Sequence, residues 1–321
     1  MLNLLGQDAT EAYDEIHPAK LIEATLGPSL RVGTVDPTTI PKLERKLEPQ
    51  VTRSKAPPLR TMINLDDFQT LAEQHMKPET WAYVDGAADD EYSKESNRRA
   101  YRKLYLRPRV LRNVSAVDSS CSILGQKCTM PIYISPVGLA KLVHPEGECA
   151  IAAACGKEGI IEVVNTVSSM PIESIMKARI NLEQPIFWQL YVDKDLTKSE
   201  AFVRRVEQLG VKAIWLTVDS PVVGKRERDD RSQAKMHIEE EVDELLETPA
   251  AQGIAKAGTG FINASIDWSI LEWLRKITDL PLVVKGIQSV EDAVTAFEYG
   301  VQGIVLSNHG GRSQDTYVRF V

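Results

Sequence analysis

The chain has 321 residues, 43% of them hydrophobic and 26% charged, with 19 glycines and 17 prolines; this is ample material for a large core and excludes a disordered or collagen-like chain. Its 45 acidic side chains against 38 basic ones leave a net charge of −7 with neutral histidines, which provides no basic footprint for a nucleic-acid backbone and argues against that class of partner. No apolar run approaches the roughly 20 residues of a membrane span, and the N-terminus lacks a basic segment followed by an apolar one.

The first 60 residues differ from the rest. Residues 1–26 carry a short amphipathic pattern, and a stretch rich in Pro, Thr and charge follows, which reads as a linker. At Asn64 the text changes: NLDDFQTLAEQHM opens with an N-cap residue, has acidic side chains in its first turn and repeats apolar residues at helical spacing, so a folded domain starts here. The four cysteines, Cys121, Cys128, Cys149 and Cys155, form no CxxC motif and read as buried or unpaired thiols, not as zinc ligands or a disulfide framework.

From residue 131 onward, short apolar runs alternate with amphipathic stretches. The expected strands are PIYIS (131–135), IIEVVN (160–165), IFWQLYV (186–192), KAIWLTVD (212–219), LPLVVKG (280–286) and VQGIVLSN (301–308). Between them lie helices such as EGECAIAAACGKEG, SEAFVRRVEQLG and VEDAVTAFEYG, each closed by glycine. Continuous apolar strands alternating with helices imply a parallel sheet covered on both faces. Polar residues gather at the C-terminal ends of four strands: Gln189 and Tyr191, Thr217 and Asp219, Lys285, then Asn308 and His309. A (β/α)8 barrel brings such ends together on one face, and no glycine-rich dinucleotide fingerprint follows the first strand. The expected fold is therefore α/β, a TIM (β/α)8 barrel. Only six of its strands are readable, so the barrel is expected to be incomplete on its C-terminal side.

Three segments carry chemistry. SNHGGR (307–312) sets an imidazole and a guanidinium just after a buried strand, with two glycines that allow a tight turn. An imidazole there can act as a base, and an arginine can grip a carboxylate with two hydrogen bonds. TVDSPVVGKRERD (217–229) ends a strand in Asp219, whose carboxylate needs a partner; His309 is the natural one, although capping of the following loop is an alternative. Such a pair would raise the imidazole pKa and fix its tautomer. Lys285 closes LPLVVKG, where it could form a Schiff base or place positive charge beside an anionic ring. Gln189 and Tyr191, two residues apart on one strand, share the inner face.

WAYVDGAADDE, YISPVGLAKLVHPEGE, FWQLYV, TVDSPVVGKRERD, LPLVVKG and VLSNHGGR, in this order, closely resemble the FMN-dependent 2-hydroxy-acid dehydrogenases and oxidases, over residues 62–314. The resemblance implies a barrel with FMN at its C-terminal face, a small 2-hydroxy-acid substrate, and in many members a tetramer. It makes His309 the base and Asp219 its partner, with Tyr191 on the substrate hydroxyl. Arg312, Tyr83 and Arg226 would hold the substrate. Lys285, Gln189, Thr217 and Asn165 would contact the flavin, lined by the backbone of Ser135, Pro136, Val137 and Gly138. Asn165 stands where members usually have Ser, and its amide can still donate.

The N-terminus resembles the tail of the cytochrome-b-type heme module that precedes the barrel in flavocytochrome L-lactate dehydrogenases, with His17 aligned to an axial heme ligand. Residues 1–36 are then a heme-module remnant, 37–61 a linker and 62–321 the barrel. No HPGG segment supplies the second ligand, so no stable heme is expected. After Gln314 the family's phosphate-binding DGGVRRG-like and GRP-like segments are not found, so a truncated chain with weak FMN binding is expected. The resemblance implies oxidation of L-lactate to pyruvate with electrons passed through heme to cytochrome c, in the mitochondrial intermembrane space or, alternatively, the cytoplasm. An oxygen-using hydroxy-acid oxidase and an inactive pseudoenzyme are the other readings.

Overall fold

The structure, a computed structural model, describes Tyr13, residues 56–232 and residues 253–316. His17, the expected heme-module remnant apart from Tyr13, and most of the expected linker lie outside the described residues.

From residue 56 on, the described residues open with three α-helices. α1 (Leu65–His75) opens on a capping box in which Asp67 N donates to Asn64 Oδ1 at 3.0 Å and Asn64 N donates to Asp67 Oδ2 at 3.2 Å. α2 (Pro78–Asp85) begins with the proline that suits a first helical position. α3 (Tyr92–Tyr101) has its first amides tied from far along the chain, Tyr92 N and Ser93 N donating to the carboxylate of Asp315 at 3.1 and 2.6 Å.

An antiparallel hairpin follows, β1 (Cys121–Ile123) and β2 (Gln126–Cys128), turning through Leu124 and Gly125, both at positive φ. Two residues with positive φ make the type I′ geometry that matches strand twist. Sequence reading missed this hairpin.

The main sheet has six strands, β3 (Tyr133–Ile134), β4 (Ile161–Val164), β5 (Ile186–Leu190), β6 (Ile214–Thr217), β7 (Leu282–Ile287) and β8 (Gly303–Leu306), all parallel and hydrogen-bonded in chain order. These are the six expected strands. Helices α4 (Gly147–Glu158), α5 (Ile172–Lys177), α6 (Leu196–Gln208), α7 (Ile254–Ala257), α8 (Ile270–Ile277) and α9 (Val290–Glu298) occupy the connections. Among the described residues the architecture is an incomplete TIM barrel of six strands.

Strand alternation divides the core in two. Inward-facing Ile161, Val163, Phe187, Trp215 and Val283 pack with Cys128 of the hairpin, which covers the inner end of the sheet. Outward-facing Val164, Trp188, Leu190, Ile214, Leu216, Leu282 and Val284 pack against Ile175, Val203, Val206, Leu271 and Leu274 of the helices. Each such side chain contributes about 1.5–3 kcal/mol by leaving water. Burial is complete along β4, β5 and β6, whereas β8 exposes Ile304 and Leu306, and Phe297 of α9 beside it is also exposed. The edge at β8 is thus apolar and open.

LPLVVKG was expected to end at Gly286, but β7 continues to Ile287 through a bulge between Lys285 and Ile287. Gly286 sits at φ +121°, and a Cβ there would lie 2.6 Å from Asp219 N. Only glycine lets β7 approach the Asp219 backbone this closely.

Candidate active site

The inward positions at the C-terminal ends of β5 to β8 carry Gln189, Thr217, Lys285 and, just past the strand, Ser307. Thr217 and Lys285 are direct register partners. Gln189 Nε2 donates to Thr217 Oγ1 at 3.0 Å, and its Oε1 accepts from Thr166 N at 3.0 Å. Thr166 closes this arrangement by donating Oγ1 to Gln189 O at 2.6 Å and accepting from Tyr191 N at 3.0 Å. Asn165 turns its Oδ1 to Val167 N at 2.6 Å. Ser135, Pro136, Val137 and Gly138 form the loop after β3, and Gly138 faces this turn: a Cβ on it would meet Val167 O at 3.2 Å and Asn165 Oδ1 at 3.4 Å.

Asp219 is the hub of the second group. Its side chain is fully enclosed and accepts from Lys285 Nζ at 3.0 and 3.1 Å, Ser307 Oγ at 2.5 Å, His309 N at 2.9 Å and His309 Nδ1 at 2.7 Å. Burial pushes the Asp219 pKa up, but the His309 hydrogen bond, the His309 and Lys285 charges and the Ser307 hydroxyl outweigh it and bring the value down to about 2. A carboxylate accepts only, so His309 Nδ1 bears the proton and Nε2 is the acceptor, 3.3 Å from Tyr191 Oη. Burial raises the Tyr191 pKa, with the charges of Asp219 and Tyr83 adding to it, so the phenol stays protonated.

An Asp–His pair was expected to raise the imidazole pKa. Asp219 does act in that direction, but burial outweighs it, with Lys285 and Arg226 adding to the fall, and the His309 pKa lies below its ordinary value. The imidazole is therefore neutral at pH 7. His309 and the two glycines after it all have positive φ, at 57°, 65° and 74°. Such a backbone is costly for histidine, and the two bonds to Asp219 hold it there.

The third group is cationic. Arg312 Nη2 donates to Val84 O at 2.7 Å, binding the loop to the end of α2, and Arg226 sits over the Tyr83 ring at 5.7 Å. The Arg226 Nε is buried without a hydrogen-bond partner, and the Arg226 charge depresses the Arg312 pKa after burial itself. Burial raises the Tyr83 pKa. Two adjacent guanidiniums and a phenol make a receptor for a carboxylate.

The structure thus brings His309, Asp219, Tyr191, Lys285, Arg226, Arg312 and Tyr83 into one cluster, with Gln189, Thr217, Asn165 and residues 135–138 in the linked turn beside it. Sequence reading gave no role to Ser307 or Thr166, although both lie next to residues it singled out. It also passed over Glu148, whose carboxylate accepts from Ala140 N, Ser169 N, Ser169 Oγ and Met170 N at 2.8–3.1 Å and so ties together the loops after β3 and β4.

The FMN-dependent dehydrogenase family matches residues 72–319. The chain belongs to this family. The L-lactate dehydrogenase (cytochrome) of Wickerhamomyces anomalus is 37% identical over 319 residues, which is 98% of this chain and 55% of that protein. A peroxisomal (S)-2-hydroxyacid oxidase of Arabidopsis thaliana is 39% identical over 258 residues, 79% of this chain and 70% of the relative. The solved structure of an arginine-to-lysine mutant of flavocytochrome b2 superimposes with a TM-score of 0.72 at 37% identity, covering 82% of this chain and 63% of the other. The chain spans about half the length of the lactate dehydrogenase it matches.

Proposed function

We propose that the cluster around His309 oxidises an L-2-hydroxy acid, L-lactate to pyruvate, with FMN as the first electron acceptor and cytochrome c as the partner that takes the electrons on. The observation that carries this reading is the orientation of His309: a neutral imidazole with Nδ1 on Asp219 at 2.7 Å and Nε2 turned to Tyr191 Oη at 3.3 Å.

The residues present fit the flavin. Gln189 offers both a donor and an acceptor, Thr217 a hydroxyl, and Lys285 an ammonium, all inward at adjacent strand ends. That set matches a flat ring whose polar edge mixes carbonyl and N–H groups, with a cation next to where negative charge collects. When bound, FMN supplies the acceptor for the two electrons removed from the hydroxyl-bearing carbon. The backbone of Ser135, Pro136, Val137 and Gly138, together with Asn165, lines the same side.

The chain does the rest. Arg312 and Arg226, with Tyr83, clamp the substrate carboxylate and fix the hydroxyl-bearing carbon. Tyr191 Oη hydrogen-bonds the hydroxyl as it becomes a carbonyl. His309 Nε2 takes the proton, and Asp219 stabilises the imidazolium that forms. Lys285 keeps the Asp219 carboxylate in place throughout.

For the electron acceptor, the extent of similarity favours the cytochrome-linked reading. The yeast lactate dehydrogenase aligns with 98% of the chain, N-terminal residues included, and the plant oxidase with 79%. By the same likeness the mitochondrial intermembrane space is the proposed compartment. Among the described residues no helix is long and apolar enough to cross a membrane.

The test is the visible spectrum of the purified chain with FMN, before and after anaerobic L-lactate. Loss of the oxidised-flavin band near ~450 nm is expected; an unchanged band overturns the reading. Reduction of cytochrome c then separates a dehydrogenase from an oxidase, which would release hydrogen peroxide instead.

A further inference from the structure

The hairpin beneath the sheet carries chemistry that the reaction does not use. Cys121 and Cys128 are direct cross-strand partners, and both pack on the core face of the hairpin. Both are free thiols. Cys128 is buried and Cys121 half-buried. Cys128 Sγ donates to Gln126 O at 3.6 Å, and burial, with Cys121 beside it, pushes the Cys128 pKa up. Directly opposed residues of an antiparallel pair have Cβ atoms ~4.5–5.5 Å apart, and a disulfide needs ~3.5–4.5 Å. Closing by about 1 Å joins the sulfurs with no change of register.

The other two cysteines contrast with this pair. Cys149 and Cys155 lie on α4, too far apart along the helix to face one another, and burial pushes the Cys155 thiol up to about 12.

We propose that Cys121 and Cys128 are a reversible modification site, forming an intramolecular disulfide that staples the hairpin. With a peroxide as oxidant, the Cys121 sulfur attacks one peroxide oxygen, the O–O bond breaks, and Cys121 becomes a sulfenic acid while the departing hydroxide takes the Cys121 thiol proton and leaves as the first water. The Cys128 sulfur then attacks the Cys121 sulfur, the S–O bond breaks, and the departing hydroxide takes the Cys128 proton as a second water. Two thiols lose two electrons and two protons in all, and one peroxide gains them. A dithiol reductant reverses the step.

The staple acts on the base of the strands that carry the cluster. Leu124, at the hairpin tip, reaches β8: a Cβ on Gly303 would lie 3.8 Å from its Cδ2. β8 leads directly into Ser307 and His309. Closing the loop restricts the unfolded chain and stabilises the folded hairpin.

The experiment treats the full chain with hydrogen peroxide, counts its thiols and maps its peptides without reduction, before and after dithiothreitol. The thiol count is expected to fall from four to two, with the peptides of Cys121 and Cys128 linked within one chain and a melting temperature higher by about 5 °C, reversed by dithiothreitol. Cys121→Ser should abolish the link and the shift, and Cys149→Ser should leave both. A count that stays at four, sulfinic acid at Cys121, a link between two chains, or an unchanged melting temperature in the linked protein would each overturn the proposal.

Discussion

The carboxylate of Asp219 holds His309 by backbone and side chain at once: Oδ2 accepts from His309 N at 2.9 Å and Oδ1 from Nδ1 at 2.7 Å. The same group neutralises Lys285, so a single side chain sets the loop conformation, the imidazole tautomer and the burial of an ammonium.

Replacing it with its amide, Asp219→Asn, separates these roles. The shape is kept, but the anion that fixes the Nδ1 proton and balances Lys285 is lost. Turnover of the hydroxy acid is expected to fall about 10³-fold, and the fold to lose about 3–5 kcal/mol because a nearly buried ammonium is left unpaired. Steady-state kinetics and urea unfolding measure the two losses. Because the folded pKa of Asp219 is about 2, below the ordinary 3.8, its contribution to wild-type stability is present above about pH 4 and lost as pH falls towards 2. Equal urea midpoints for wild type and variant at pH 7 would show that the pair adds no stability.

The depressed pKa of His309 gives a second sign. A base must be neutral to act, so the acidic limb of kcat/KM for L-lactate is expected to have an apparent pKa below the ordinary 6.5. The unfolded chain takes up this proton before the folded one, so stability should also decline as pH drops below 6.5. A pH–rate profile checks the first, and an apparent pKa at or above 6.5 would contradict the burial argument.

Much of this was legible in the residues. Strands buried on both faces must be apolar along most of their length, and IFW and LVV read that way, so all six strands of the sheet were expected close to where they occur. The polar strand ends pointed to the cluster for the same reason, since a side chain such as Asp219 has no place at the end of a buried strand without partners. The hairpin was not legible: each arm is three residues, and the turn Leu124–Gly125 lacks the Asn-Gly signal of its type. Nor was the net fall in the His309 pKa, because desolvation depends on what the fold lays over the ring. Ser307 and Thr166 gain their roles only when distant segments meet.

Glu162 is the sheet's anomaly. It is 2% exposed, its Oε2 has no hydrogen-bond partner, and burial, with the Glu148 charge adding, raises its pKa to about 8. The folded chain therefore keeps a proton that the unfolded chain releases above about pH 4.5, so stability should fall as pH rises from 4.5 to 8. Glu162→Gln removes that titration and is expected to stabilise the fold by about 3 kcal/mol at pH 8 with little effect at pH 5. Urea midpoints at the two pH values decide it; equal shifts at both would mean that ionisation is not the cause.

Asn97 of α3 and Asn308, the residue before His309, exchange side-chain amide bonds: Asn97 Nδ2 donates to Asn308 Oδ1 at 2.8 Å, and Asn308 Nδ2 donates to Asn97 Oδ1 at 3.0 Å. Asn308 Oδ1 also accepts from Gly311 N at 3.2 Å, and a Cβ on Gly311 would lie 2.6 Å from Lys94 N, so the loop presses directly on α3. With Asp315 on the first amides of the same helix, the segment 308–315 is fastened to α3 at both ends. Asn97→Ala breaks one fastening and leaves the half-buried Asn308 amide without its partner. A loss of about 1–3 kcal/mol is expected. Because His309 and Arg312 lie on the loosened segment, hydroxy-acid turnover should fall about 10-fold through a misplaced base and carboxylate clamp, while the acidic pKa of the pH–rate profile should stay where it is, since Asp219 still holds the imidazole. Kinetics at several pH values read both, and a shifted acidic pKa would place Asn97 in the electrostatics of His309 and not in the anchoring of its loop.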